Sequence, residues 1–462
     1  MGSLASGQWP VASGDPVETS AVATGSFPLA TGALRVLLVT YYFPPSGGAG
    51  VQRPTKWVRY LPEHGVAPTV LTVRAGAYPH LDPAMAADVP DGVPVVRTAA
   101  PDPFALYGRL TGRSRDEAVS ARTHRVGESD ALGERIARWV RANVFVPDAR
   151  VGWVPFGVRA ARRLHAASPF DAVVTTGPPH SAHLVGRALA RRGVPWLADF
   201  RDPWSDIHYV GALARSSAAE ARDRALEASV LREARAVVTV SEPLARRLRE
   251  RVAGLGAATP VHVVRNGFDP ADIAGEAPPV RADRFEIVYA GTLFGTPTAL
   301  LDAMTGELRV HLRVLGTVPD DFAAAVEQRG LGARVAVEPT VPHADAVATM
   351  RGAALLLLTV EAAWSYADAV VPGKTYEYLA SGRPVLGLGP PGEAADILVA
   401  TSAGAMLDPA DVAGVRAALA AHVVAWAAGT PLAGASASAL GPYDRRAQAG
   451  EVAAVLREIA GG

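Results

Sequence analysis

Cysteine is absent from this 462-residue chain, which excludes disulfides, thiol nucleophiles and cysteine-ligated metal sites. An excess of either charge is absent too. The 45 Lys plus Arg residues balance 45 Asp plus Glu, so a dedicated nucleic-acid binder is not expected. The longest strongly apolar run, AALLLLTV at 353–360, is far short of the roughly 20 residues a membrane span needs. The first 33 residues contain no Lys or Arg and no unbroken apolar stretch, so they lack the pattern of a secretory signal. Rich in Ala, Gly, Ser, Thr and Pro, they read as a flexible tail. The expectation is a cytoplasmic protein, with peripheral contact at the inner membrane face left open. Lysine is scarce: only Lys56 and Lys374 occur, so arginine supplies 43 of the 45 basic residues. A lysine against that background points to a place where a compact ammonium is needed.

The 49% of hydrophobic residues rules out disorder of the whole chain and can fill the cores of two or three domains. From Leu34 short β-branched runs alternate with amphipathic stretches. LRVLLVT (34–40), TVLTV, the DAVVTT run from Asp171, VPWLADF (194–200) and AVVTV (236–240) read as strands. Helices are expected at about 50–64, 180–192 and 215–233. After a Pro- and Gly-containing connection near 267–284 the alternation restarts. FEIVYA (285–290), RVHLRVLG (309–316), RVAVE (334–338), AALLLL (353–358) and PVLGL (384–388) form a second strand series. Such alternation predicts an α/β fold with two doubly wound, Rossmann-like domains facing a central cleft. The expected division is a tail over 1–33, a first domain over 34–270, a second over 285–440 and a C-terminal helix over 441–462.

Four motifs carry chemistry, and each has a structural alternative. YYFPPSGGAGVQR (41–53) follows the first strand. Gly47, Gly48 and Gly50 allow a ligand close to the backbone at a helix N-terminus, or they form a tight turn only. Its spacing is not the dinucleotide fingerprint. DFRDPW (199–204) ends a strand where open α/β sheets bind ligands. Its charges, Asp199, Arg201 and Asp202, are either used there or locked in ion pairs. His180 and His183 lack further ligands at local spacing, so packing or a cleft contact is expected rather than a metal. VVPGKTYEYLASGRPVLGL (370–388) contains GKT but not the nucleotide-triphosphate loop, because Asp368 stands at the required glycine. Pro372 and Gly373 open a short helix there, placing Lys374 and Glu377 on one face. They are an exposed ion pair or a phosphate-and-sugar pair. The region from about 100 to 165 interleaves arginines with Trp139, Phe145, Trp153 and Phe156. It is an insertion packed on the first domain or a patch for an anionic surface.

These motifs, with VVTVSEPLARRL (237–248), VVRNGFD (263–269), IVYAGTLF (287–294) and VPHADAVATMRGAALLLL (341–358), resemble the retaining GT-B glycosyltransferases often called family 4. The resemblance covers about 34–400. It implies transfer of a sugar from a nucleotide-diphosphate sugar to an acceptor hydroxyl with retention of configuration, without metal or other cofactor. The acceptor would be a sugar, a lipid-linked or a small molecule. By resemblance Gly47, Gly48, Gly291, Thr292, Gly373, Lys374 and Glu377 bind the donor, Glu377 on the ribose. Arg201, Asp202 and Lys374 are the catalytic candidates, with Asp202 orienting Arg201 or the substrate. The family's first glutamate is replaced by Ala369, and its Arg/Lys pair after Gly291 is missing. A nucleotide-sugar 2-epimerase and a non-catalytic partner subunit on the same fold are the alternatives.

Overall fold

The β-branched runs become strands because their side chains are buried on both faces, as parallel sheets require. A computed structural model of the protein describes residues 17–19, 32–74, 78, 81–100, 139–207 and 215–461. The first sheet contains β1 (Val17–Thr19), β2 (Leu34–Val39), β3 (Val66–Val73), β4 (Val95–Thr98), β5 (Ala172–Gly177), β6 (Trp196–Phe200), β7 (Ala236–Thr239) and β8 (Val261–Val263). Their order is β1-β4-β3-β2-β5-β6-β7-β8. All pairs are parallel except β1 with β4. The second sheet contains β9 (Phe285–Ala290), β10 (Val310–Leu315), β11 (Val335–Glu338), β12 (Leu355–Thr359), β13 (Val385–Leu388) and β14 (Gly404–Leu407). Its order, β11-β10-β9-β12-β13-β14, is wholly parallel.

Each sheet reverses its winding beside its first parallel strand, between β2 and β5 and between β9 and β12. Crevices beyond the carboxyl ends of strands at such points are where open α/β sheets bind ligands. Helices cover both faces. They are α1 (Ala49–Tyr60), α2 (Val154–Ala167), α3 (His183–Ala190), α4 (Ser217–Glu233), α5 (Glu242–Gly254), α6 (Thr298–Thr305), α7 (Phe322–Gln328), α8 (His343–Gly352), α9 (Lys374–Ser381), α10 (Glu393–Ala400), α11 (Val412–Ala427) and α12 (Arg445–Gly461).

Two expectations are corrected. Val17–Thr19 lie within the segment expected to be a tail, yet they pair with Val96–Thr98 as an antiparallel edge strand. Arg150, counted among the arginines of an anionic-surface patch, is 3% exposed and lies 5.2 Å over the Tyr41 ring. Burial of its guanidinium is compensated by Tyr42, whose hydroxyl accepts from Nε at 3.3 Å. The C-terminal helix α12 crosses back to the first sheet, where Ala449, Val452 and Leu456 pack with Val36, Leu38 and Trp57. The first sheet therefore takes its last covering helix from the far end of the chain.

Candidate active site

α9 is anchored before it is functional. Tyr376 and Tyr378 are fully buried, and the Tyr378 hydroxyl accepts from Ala290 N at 3.0 Å, at the end of β9. The helix N-terminus is thus fixed beside the β9 loop, and Gly382 closes it in the left-handed region at φ 70°. Lys374, in the first turn, places Nζ 3.6 Å from the centroid of the Tyr289 ring, a cation–π contact. A Cβ added at Gly291 would lie 3.2 Å from that ammonium, and Gly291 itself has φ +105°. Only glycine suits this turn. The turn is held by Gly291 N donating to Leu315 O at 2.7 Å and by Tyr289 Oη donating to Thr292 O at 2.6 Å. Gly291, Thr292 and Gly373 are exposed at the crevice.

Burial pushes Lys374 down to about 7, with Glu377 opposing. Among the described residues no carboxylate stands within ion-pair distance of Lys374, so the exposed Lys374–Glu377 pair is not the arrangement formed. Glu377 instead faces His343 Nε2 at 3.9 Å. Burial raises its pKa, while His343, Arg445 and the Gln52 side chain favour its charged form. Arg445 donates to Gln52 Oε1 at 3.0 Å. Gln52 lies in the first turn of α1, directly after the glycine loop of the first domain, so one site draws on both halves. Gly48, at φ +98°, precedes α1, and a Cβ there would meet nothing within 4 Å; Gly47 is buried beneath it.

Arg201, a catalytic candidate in the sequence, is engaged by backbone carbonyls. Its Nε donates to Gly177 O at 3.0 Å, Nη1 to Gly50 O at 2.6 Å and Nη2 to Pro178 O at 2.6 Å. Three donors thus tie the β5 loop to the glycine loop across the first sheet's reversal point. Burial lowers its pKa against the pull of Asp199 and Asp202. Asp199 took the structural alternative: Arg53 grips it through Nε at 3.1 Å and Nη2 at 3.0 Å, and Thr176 donates at 2.7 Å. His180 and His183 are packed, stacking on Trp204 and Phe200 at centroid distances of 4.7 and 4.8 Å. Burial drives His180 down to about 3.

Lys56 sits in a cage of Asp88 at 2.9 Å, Asp269 at 2.6 Å and Asp272 at 3.3 Å. These three are the acidic group whose oxygens converge among the described residues, and the ammonium fills it. Burial pulls Lys56 down, but the three carboxylates outweigh it and hold the pKa above its usual value. Ala369 joins the core against the first sheet, its carbonyl accepting from Ser241 Oγ at 2.9 Å. A glutamate there would bury its charge among those apolar neighbours.

Sequence reasoning did not single out Arg53, Gln52, His343, Tyr289 or Arg445. Gln52 and Arg53 lie inside the quoted motif YYFPPSGGAGVQR, Tyr289 inside IVYAGTLF and His343 inside VPHADAVATMRGAALLLL, and that placement was their only signal; Arg445 lies in none of the quoted motifs.

Comparison with known proteins gives the same architecture. The sequence model of Glycosyltransferase Family 4 matches residues 113–272. No curated protein sequence matches the chain. The structure is similar to sucrose-phosphate synthase from Thermosynechococcus elongatus, with TM-score 0.53 at 15% identity over 92% of this chain and 96% of that one. It is also similar to an α,α-trehalose-phosphate synthase (UDP-forming) from Burkholderia vietnamiensis, with TM-score 0.56 at 11% identity over 93% and 99%. The corresponding synthase of Burkholderia multivorans gives 0.54 at 10% over 93% and 97%. At these identities the likeness shows the fold: two Rossmann-like domains in the GT-B arrangement.

Proposed function

We propose that the protein transfers a sugar from a nucleoside-diphosphate sugar to an acceptor hydroxyl, with retention of configuration and without a metal ion. The observation that carries this reading is Lys374: an ammonium beside a glycine turn at a strand-end crevice, with Glu377 one turn further along α9. A diphosphate at Gly291–Thr292 would meet the ammonium and the free N–H groups of α9. Glu377 would accept from ribose hydroxyls. Transfer breaks the bond between the sugar C1 and the terminal phosphate oxygen, and that oxygen keeps the electron pair. The acceptor oxygen bonds to C1 on the same face, and its proton passes to the departing phosphate. Charge accumulates on the leaving group, so Lys374 contributes most in the transition state. Arg201 acts as a positioning residue that fixes the glycine loop, and Asp202 supports its charge. Sugars, lipid-linked sugars and small-molecule alcohols are the acceptor classes.

The test is thermal unfolding with UDP, GDP, ADP and dTDP, each with chelator present. One of them should raise the transition temperature, since a ligand at 100 times its Kd adds about 2.7 kcal/mol. A flat response to all four would remove the reading.

A further inference from the structure

His343 opens α8 and stands between two carboxylates of different origin. Its Nε2 is 3.6 Å from Asp272 Oδ2 and 3.9 Å from Glu377 Oε1. At these separations the contacts are ion pairs rather than hydrogen bonds. Asp272 is in turn 3.3 Å from Lys56 on α1. A chain of alternating charge therefore runs from the first domain's helix through the interdomain connection to the carboxylate of α9. The sequence TVP-His343-AD places the imidazole there because Pro342 precedes the helix and turns the chain into it. Nothing in the transfer chemistry above requires a histidine at this point.

We infer that His343, as an imidazolium, is the positioning residue that keeps Glu377 ionised and aimed for nucleotide hydroxyls. This rests on the assignment of Glu377 to the nucleotide. Two hydroxyl donors need a charged acceptor, and a protonated carboxyl offers a weaker one. The charged groups around the pair come from four elements: Lys56 from α1, Asp269 and Asp272 from the connection, Glu377 from α9 and Arg445 from α12. Lys56 is held above its usual pKa, and Arg445, though pushed down to about 10 by burial, stays charged below that pH. Their contributions are constant across neutral pH. Of these basic groups, His343 is the one whose charge changes there. Asp272 beside it raises its pKa above 6.5, burial opposes, and Glu377 adds to the rise. Its favourable effect is therefore complete below the ordinary histidine pKa and is lost as pH rises through the raised value.

The experiment has a nucleotide-free arm and a binding arm. In the first, the His343 ring signal is titrated by NMR in protein carrying labelled histidine, assigned by its loss in His343→Gln. Its pKa should exceed 6.5 and fall in Glu377→Gln by roughly half to one unit. An unchanged value in Glu377→Gln would overturn the coupling. In the second, affinities for UDP and GDP are measured from pH 5.5 to 8.5 in wild type and His343→Gln. Lys374 is present in both proteins, so its own titration cancels in the ratio. Wild type should bind roughly threefold to tenfold more tightly at the acid end, with the ratio approaching one at the alkaline end. A ratio independent of pH would reduce His343 to a structural contact. Failure of wild type to bind either nucleotide at any pH would instead overturn the nucleotide assignment and the hydroxyl role with it. The first arm would then still report whether the imidazolium and Glu377 are coupled.

Discussion

Lys374 shows how one side chain can be costly until its ligand arrives. Its ammonium is half-buried over an aromatic face with a pKa of about 7, so at pH 8 most molecules carry it neutral. A diphosphate would restore the charge. UDP binding at pH 8 should take up protons, read as a dependence of the calorimetric heat on the buffer's ionisation enthalpy. Lys374→Met should abolish that uptake. In turnover, Lys374→Ala should lower kcat by about 10²–10³, as loss of a transition-state donor typically does, with a smaller effect on nucleotide affinity. Wild-type turnover in Lys374→Ala would return the lysine to a packing role. The stability sign is fixed as well. The unfolded chain binds this proton more tightly than the folded one, so this residue adds stability as pH rises from about 7 towards 10.5.

At the scale of the element, α2 presents Phe156, Arg159 and Arg163 at helical spacing, with Arg162 beside them on the outer face. Trp139 is 58% and Val144 51% exposed in the segment before it, whereas Trp153 is buried and donates to Thr98 Oγ1 at 2.7 Å. The interleaved aromatics therefore divide: Trp153 packs, Phe145 is half-buried, and Trp139 and Phe156 face out. Arg135 and Arg138, also expected in the patch, lie outside the described residues. Among the described residues no helix is long and apolar enough to cross a membrane. If the exposed face meets anionic lipid, co-sedimentation with phosphatidylserine vesicles at low salt should fall at least several-fold in a Phe156→Ser, Arg159→Glu variant and fade with added salt. Equal sedimentation of both proteins would dismiss the face. Elements themselves were legible where burial makes long apolar runs, as in β2, β9 and β12. β4, β8 and β14 were missed because they are both short and partly exposed, without the fully buried run that marks the equally short β7 and β13. The glycine turns and Lys374 stood out in the sequence because their pattern is local. Arg201 also stood out, but its partners did not: they are backbone carbonyls of Gly50, Gly177 and Pro178, which no side-chain pattern encodes. Arg53 was missed for a related reason, as its carboxylate partner stands 146 positions away.

The two halves are joined by charged and polar contacts. Glu393 in α10 accepts from Arg265 Nε at 2.8 Å, Asp368 from Arg247 at 2.7 Å, and Ala369 O from Ser241, all across the two halves. Lys56 is the most enclosed cation among them. It is 3% exposed, and its cage joins α1 and Asp88 to the interdomain connection carrying Asp269 and Asp272. Scarcity of lysine had pointed to a compact ammonium, and here three converging carboxylates are the reason. Removal of the ammonium tests the cage directly. Lys56→Ala leaves three carboxylates whose oxygens lie within 4.8 Å of one another. Breaking a buried pair from one side costs about 3–5 kcal/mol, with the lower end expected because Asp88 and Asp272 keep some solvent contact. Mutual repulsion must then raise the pKa values of Asp269 and Asp272, which Lys56 had helped to keep down. The variant's deficit should shrink as pH falls from 7 towards 4.5, a range in which wild type keeps the contribution of Asp269, whose pKa is held below its usual 3.8 and which loses that contribution only on further acidification. A hard divalent cation accepts carboxylate oxygens at such spacing. Millimolar Ca²⁺ should therefore raise the transition temperature of Lys56→Ala and leave wild type unmoved, where the ammonium already occupies the place. Equal responses of the two proteins to Ca²⁺, or a deficit unaffected by pH, would mean that the carboxylates relax apart and that the cage does not hold the connection to α1.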